Sequence, residues 1–211
     1  MFAKAKTGSG KTLGFLLPAL EAITARQMGP LDPQAVAILV LSPSRELAEQ
    51  TRREAEKLLS FHEGLGAQIV MGGTDLKKEQ RRLAASPCQV LVATPGRLQD
   101  HLDNTRGFAE RLRATRVVVL DEADRLLDMG FLPAIKQIAQ SLPPAAKRQT
   151  LLFTATVPKG VHEVSQVLMR PGFQFIDTVG EDGPSHKLIR QEYLVAPMVD
   201  VMPVRTTQAA F

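Results

Sequence analysis

The chain has 211 residues, 44% hydrophobic and 23% charged, enough apolar material for one large domain with a sizeable core and too much for a disordered chain. Its single cysteine, Cys88, excludes an intrachain disulfide and a cysteine-based zinc site, and the longest apolar run, 35–41, is far short of a bilayer span. Lys and Arg number 26 against 22 Asp and Glu, a net charge of +4 that permits an anionic partner without demanding one.

In chain order, the N-terminal residues turn polar by Thr7, so neither a signal peptide nor a transit segment is read there and a soluble intracellular protein is expected. Ala5-Lys6-Thr7-Gly8-Ser9-Gly10-Lys11-Thr12 then opens a predicted helix over 11–27. Gly8 and Gly10 allow dihedrals in which successive backbone N–H groups surround a phosphate, and the helix start adds its positive end. Lys11 supplies a cation for the terminal phosphates and Thr12 a hydroxyl for Mg2+. The strict phosphate-loop pattern asks for glycine where Ala5 stands. Pro18 predicts a kink in this helix.

Strands are predicted at 36–41, 67–71, 89–93, 117–120, 150–153, 174–176 and 191–195, several as unbroken Val/Ile/Leu runs suited to parallel strands covered on both faces. Helices are predicted between them at 45–60, 76–84, 96–102, 123–129, 132–142 and 159–168. This alternation gives an α/β domain with a central parallel sheet, spanning 1–196, followed by a disordered tail over 197–211. Ligands of such sheets bind beyond the carboxyl ends of the strands. The loops there hold Ser42-Pro43-Ser44-Arg45, Gly72-Gly73, Thr94-Pro95-Gly96-Arg97, Asp121-Glu122-Ala123-Asp124 and Thr154-Ala155-Thr156.

Asp121 closes an apolar strand and can hold Mg2+ through water, while Glu122 can polarise an attacking water. The plainer alternative makes Asp121 or Asp124 an N-cap of the following helix, which leaves Glu122 without a purpose. Two basic groups, Arg45/Arg52/Arg53/Lys57 and Lys77/Lys78/Arg81/Arg82, are interspersed with Glu46, Glu49, Glu54, Glu56 and Glu79 and read as solvated helix faces. His62, His101, His162 and His186 have no metal-ligand spacing and read as surface or packing residues. Phosphate loop and strand-end acids together point to a nucleoside triphosphatase.

The D-E-A-D of Asp121–Asp124 and the A-x-T-G-x-G-K-T of Ala5–Thr12 occur with Pro43-Ser44-Arg45-Glu46-Leu47-Ala48, Gly72-Gly73, Thr94-Pro95-Gly96-Arg97 and Thr154-Ala155-Thr156. In this order they make residues 2–196 closely resemble the first RecA-like domain of DEAD-box ATP-dependent RNA helicases, whose phosphate loop begins with alanine. The resemblance implies a parallel-sheet RecA-like P-loop domain with helices on both faces. It implies that Ala5, Thr7, Gly8, Ser9, Gly10, Lys11 and Thr12 bind ATP, that Thr12 and Asp121 hold Mg2+, and that Lys11, Asp121 and Glu122 serve catalysis. Asp124, Thr154 and Thr156 would couple the ATP and RNA sites. Pro43, Arg45, Gly72, Gly73, Thr94, Gly96 and Arg97 would line a sequence-independent path for the backbone of single-stranded or short duplex RNA, although Arg97 also reads as a helix-face ion pair.

Against the family pattern, Met1–Ala5 leaves no room for the adenine-reading aromatic and glutamine, so a weakened first strand and poor base selectivity are expected. The second RecA-like domain, which family members use to complete both sites, is not in this sequence. The polypeptide alone is therefore expected to be a monomer that hydrolyses ATP slowly, and a catalytically silent ATP- or RNA-binding fragment is the alternative. A DNA helicase or another P-loop ATPase fits the motif set less well.

Overall fold

A computed structural model describes residues 1–179 except Thr7, 25–31 and Pro33, with Lys159 described by its backbone alone. The predicted strand at 191–195 and the predicted tail at 197–211 lie outside the described residues. Seven strands form one parallel sheet: β1 (Phe2–Lys4), β2 (Ile38–Leu41), β3 (Ala67–Val70), β4 (Val90–Ala93), β5 (Val117–Leu120), β6 (Gln149–Thr154) and β7 (Phe175–Asp177). Their order is β3-β4-β2-β5-β6-β1-β7. Helices α1 (Lys11–Thr24), α2 (Arg45–Leu59), α3 (Leu76–Ala85), α4 (Pro95–Asn104), α5 (Phe108–Leu112), α6 (Ala123–Asp128), α7 (Leu132–Gln140) and α8 (Lys159–Leu168) connect them. The helix runs through Pro18 to Thr24 as one element; its predicted end at 27 lies outside the described residues.

Continuous apolar strands bury both faces because alternate residues serve two cores. Leu39, Leu41, Val118 and Leu120 pack with Leu98 of α4, Ile135 of α7 and Val164 of α8 on one side. Ile38, Val40, Val117 and Val119 pack with Phe15 and Leu16 of α1 and Ala48 and Ala55 of α2 on the other. Phe131 packs partly buried against the first of these cores, and Cys88 is fully buried there, its thiol pushed up to about 12 by desolvation, which makes it unreactive. No helix among the described residues is long and apolar enough to cross a membrane.

The expected weakness of the first strand is corrected by the sheet. β1 is an interior strand, paired with β6 on one side and β7 on the other. Phe2 holds it there: its ring is buried and meets Phe173 at 6.0 Å and Phe175 edge-on at 5.1 Å. The Ala5 N–H then donates to the Thr154 carbonyl at 2.9 Å and aims the following loop over the carboxyl edge.

Register fixes the site. Leu41 pairs with Ala93 and Leu120, and Val70 pairs with Ala93, so Ser42, Met71, Thr94 and Asp121 leave the sheet at one level. Backbone bonds extend the ladder one step, from Asp121 to Leu41, Ser42 to Ala93 and Thr94 to Val70.

Candidate functional site: two clefts on the carboxyl edge

The loop after β1 and the acids after β5 line one cleft of about 350 Å³, with Gly8, Gly10, Lys11, Thr12, Leu47, Gln50, Asp121 and Glu122 in its walls. Gly8 and Gly10 have φ of +78° and +80°, which side-chain-bearing residues rarely adopt, and a Cβ on either would meet no atom within 4 Å. The space above the loop is thus free for an anion. Ser9 Oγ donates to the Lys6 carbonyl at 2.8 Å and steadies the turn. Lys11 Nζ donates to the Ala5 carbonyl at 3.3 Å, a long bond that a phosphate oxygen can replace. Ala5 closes the base of this loop and Thr7 lies outside the described residues.

Asp121 is only 2% exposed, and its Oδ1 is buried without a hydrogen bond. Burial pushes its carboxyl up to about 6 against the pull of Lys11, with the Glu122 charge adding to the rise. Glu122 is the one non-glycine residue with positive φ among the described residues, at 50°. It occupies the N-cap position of α6 without a side-chain cap bond, while Asp124, inside the first turn, accepts from the Arg125 N–H at 3.1 Å, so neither predicted aspartate is the N-cap residue. Its Oε2 lies 3.1 Å from Arg125 NH1 without hydrogen-bond alignment, and Arg125 is mostly exposed, so the pair holds it weakly. Asp121 Oδ1 and Glu122 Oε2, buried without hydrogen bonds in residues that line the cleft with Lys11, fit a divalent cation.

The raised Asp121 pKa gives a testable sign. The folded state holds this proton more tightly than the unfolded chain, whose aspartate titrates near 3.8. The ionised carboxylate therefore costs nothing below about pH 4, and its full cost, on the order of 2–3 kcal/mol, is present above about pH 6. Asp121→Asn is expected to gain that much stability relative to the parent protein between pH 4 and pH 7, in chelator and without nucleotide. Denaturant titrations of both proteins at the two pH values check it; a difference that does not change with pH contradicts the buried-charge assignment.

Asp124 connects the acids to β6. Its Oδ2 accepts from Thr156 N at 2.9 Å and Thr156 Oγ1 at 2.8 Å, and its own N–H donates to Thr154 Oγ1 at 3.3 Å. Thr154 Oγ1 donates to the Thr156 carbonyl at 2.6 Å, closing the set. Burial alone would raise the Asp124 pKa, but the bonds from Thr156 outweigh it and hold the carboxyl below its ordinary range.

A second cleft, of about 540 Å³, opens beside the first, lined by Pro43, Arg45, Gly72, Thr94, Gly96 and Arg97 with Met129 and Phe131. Gly73 belongs to the same wall, since a Cβ there would collide with the Arg45 guanidinium. Ser44 Oγ caps α2 by accepting from Leu47 N at 3.2 Å, which sets Arg45 at the helix start. Gly72 N donates to Thr94 Oγ1 at 3.4 Å, tying the loops after β3 and β4. The α4 N-terminus, with Pro95 in its first turn, opens toward the cleft and suits an anion. Predicted residues from five separate loops thus gather on two adjoining surfaces.

The solvated-face reading holds for α2, where Arg52 and Arg53 pair with Glu49 at 2.7 and 3.0 Å and Lys57 pairs with Glu54 at 2.7 Å. For Glu79 of α3 it is overturned: the residue is 3% exposed and bound on all sides. The signal was present, because Glu79 stands four residues before Leu83 on the buried stripe of α3. Buried His101 also has a specific partner in this carboxylate, and Arg97 forms ion pairs with Glu79 at 3.4 Å and Asp100 at 3.6 Å.

A family model described as DEAD/DEAH box helicase matches residues 1–164. Among relatives, DEAD-box ATP-dependent RNA helicase 26 of Oryza sativa subsp. japonica is 52% identical over 94% of this chain and 36% of its own length. DEAD-box ATP-dependent RNA helicase 25 of Arabidopsis thaliana is 48% identical over 94% of this chain and 35% of its own. The chain therefore spans about a third of the length of these curated relatives. A solved structure of Mss116p bound to ssRNA and AMP-PNP superposes with a TM-score of 0.74 at 31% identity, covering 85% of this chain and 36% of that one. The fold is the parallel-sheet RecA-like type. On the family match, the sequence relatives and this shared architecture, the chain belongs to the DEAD/DEAH box helicase family.

Proposed function

We propose that the first cleft binds ATP with Mg2+ and the second binds the backbone of single-stranded RNA, as the ATP-binding half of an RNA helicase core. In family members with a second RecA-like domain, hydrolysis here would be coupled to local opening of RNA. The observation that carries the reading is that the two clefts share elements. Helix α2 and its cap give Ser44, Arg45 and Glu46 to one and Leu47, Gln50 and Glu54 to the other. Helix α6 starts after Glu122 in the nucleotide cleft and ends before Met129 in the RNA cleft. The bonds among Asp124, Thr154 and Thr156, which tie α6 to the end of β6, would help to couple the two sites.

Loop amides and Lys11 would hold the phosphates, and Thr12 and Asp121 would hold Mg2+, which supplies charge neutralisation to the phosphate oxygens. Glu122 would orient the attacking water and accept its proton. Arg45, Arg97 and the amides around Gly72 and Gly96 would take RNA phosphates, which carry no base information.

Anisotropy of labelled RNA oligomers of different sequence, measured over a salt series with a non-hydrolysable ATP analogue and Mg2+, tests the reading. Affinity is expected to vary by no more than about twofold with sequence and to fall with salt at a log–log slope of about −0.7 for each phosphate contact. Strong sequence preference, or no RNA binding, would overturn it.

A further inference from the structure

Glu79 is a carboxylate almost fully removed from water, and it touches both walls of the RNA cleft. Its Oε1 accepts from Met71 N at 3.2 Å and Thr74 Oγ1 at 2.5 Å, the two ends of the loop that carries Gly72 and Gly73. Its Oε2 accepts from His101 Nε2 at 2.9 Å and faces Arg97 NH1 at 3.4 Å, both on α4. The Arg97 side chain is 10% exposed, and its NH2 donates to the Thr74 carbonyl at 2.8 Å. His101 is locked in turn, its Nδ1 sharing a 2.8 Å hydrogen bond with Thr105 Oγ1, which also accepts from Gln80 Nε2 at 3.0 Å. Hydrogen bonds from His101, Thr74 and Met71, with the Arg97 charge, outweigh the desolvation of Glu79 and keep it ionised.

A buried charge of this kind is costly unless it is fully bonded, and it contributes little net stability against an apolar replacement. Here its bonds converge on the group and the loop that meet the ligand. We infer that Glu79 is a positioning residue for RNA binding: it presets the Arg97 guanidinium and the Gly72–Gly73 loop in one arrangement before RNA arrives. Preorganisation of this sort raises affinity by removing the ordering cost from the binding step. The inference rests on the proposal that Arg97 and this loop contact RNA. The carboxylate also opposes approaching phosphates, so the sign of its effect separates the two roles.

Glu79→Gln keeps the shape and, with its carbonyl toward Met71 and Thr74, turns an amide NH2 toward His101 and Arg97, breaking the bond set on that side. Single-stranded RNA affinity is measured for the parent chain, Glu79→Gln, Arg97→Ala and the double variant. Weakening by about tenfold in Glu79→Gln, with no further loss when it is added to Arg97→Ala, is expected for a residue acting through Arg97. Additive losses would mark general structural damage and overturn the inference. So would unchanged or tighter RNA binding in Glu79→Gln, the latter being the result of simple charge opposition. If Arg97→Ala leaves RNA affinity unchanged, the proposed RNA role of Arg97 fails first. Should Glu79→Gln not fold, Thr74→Val, at an exposed position, removes the hydroxyl that bonds Glu79 and the Met71 carbonyl and tests the loop side of the arrangement: weaker RNA binding is expected, and unchanged affinity overturns the inference.

Discussion

Lys11→Ala is expected to weaken binding of Mg2+-ATP by about a hundredfold or more, the range for truncating one partner of a desolvated charged pair. Lys11 opens α1 in the wall of a cleft that also contains Asp121 and Glu122. Without its charge, a polyanionic ligand would meet the carboxylates of Asp121 and Glu122, with Glu54 also in the wall, and only neutral loop amides to offset them. The loss therefore has two parts: the missing bond to the terminal phosphates and unscreened repulsion from the acids. Asp121 is affected as well, because Lys11 lowers its pKa and its removal lets the carboxyl rise further above 6. The fold should tolerate the change, since the hydrogen bond of the Lys11 ammonium among the described residues is the long 3.3 Å one to the Ala5 carbonyl. Titration calorimetry with a non-hydrolysable analogue and Mg2+ reads the affinity, and denaturation without ligand reads the fold. Unchanged affinity would contradict the phosphate-loop assignment; loss of fold would show that the lysine braces the loop.

How far the sequence carried this picture depends on the range of the interaction involved. The unbroken runs at β2, β4 and β5 announced buried parallel strands because local composition is enough when both faces are covered. The polar turn after each of them announced the carboxyl edge, and the phosphate loop and D-E-A-D announced themselves through spacing. The insertion of β1 between β6 and β7 was not legible: three residues carry little pattern, and Phe2 is held by Phe173 and Phe175, far along the chain. Helix α5, five residues long, is set by Phe108 and Leu112 entering a core built by distant strands and helices. Glu79 was misread for a related reason. A carboxylate among lysines and arginines looks solvated until Met71, His101 and Arg97 are brought against it by the packing of α3 and α4. The strict pattern match at Ala5 was a weaker guide than its context, since the loop's path depends on Gly8 and Gly10 and on the tie from Ala5 to Thr154.

Glu122→Gln is expected to leave nucleotide affinity within about twofold while reducing hydrolysis by about 10²-fold or more, the contribution of a positioned general base. The backbone at Glu122 is the reason to expect so clean a separation. A non-glycine residue at φ 50° and ψ 56° costs on the order of 1–3 kcal/mol, and none of it is returned as a side-chain cap of α6. The strained turn directs the carboxylate into the nucleotide cleft, where Oε2 has the exposed Arg125 beside it. A glutamine side chain in its place would keep the turn, the volume and one carbonyl oxygen to orient water, and lose the capacity to take a proton together with the negative charge, whose repulsion of the phosphates Lys11 already offsets. Phosphate contacts from Lys11 and the loop amides would be untouched. Glu122→Gly separates strain from chemistry: it should be more stable than the parent chain because glycine adopts this conformation freely, yet equally slow. Single-turnover phosphate release with protein in excess, beside calorimetric affinity and denaturant stability, resolves the three quantities. Full turnover in Glu122→Gln would place the base elsewhere. A glycine variant no more stable than the parent would mean that the turn is held by contacts worth as much as its strain.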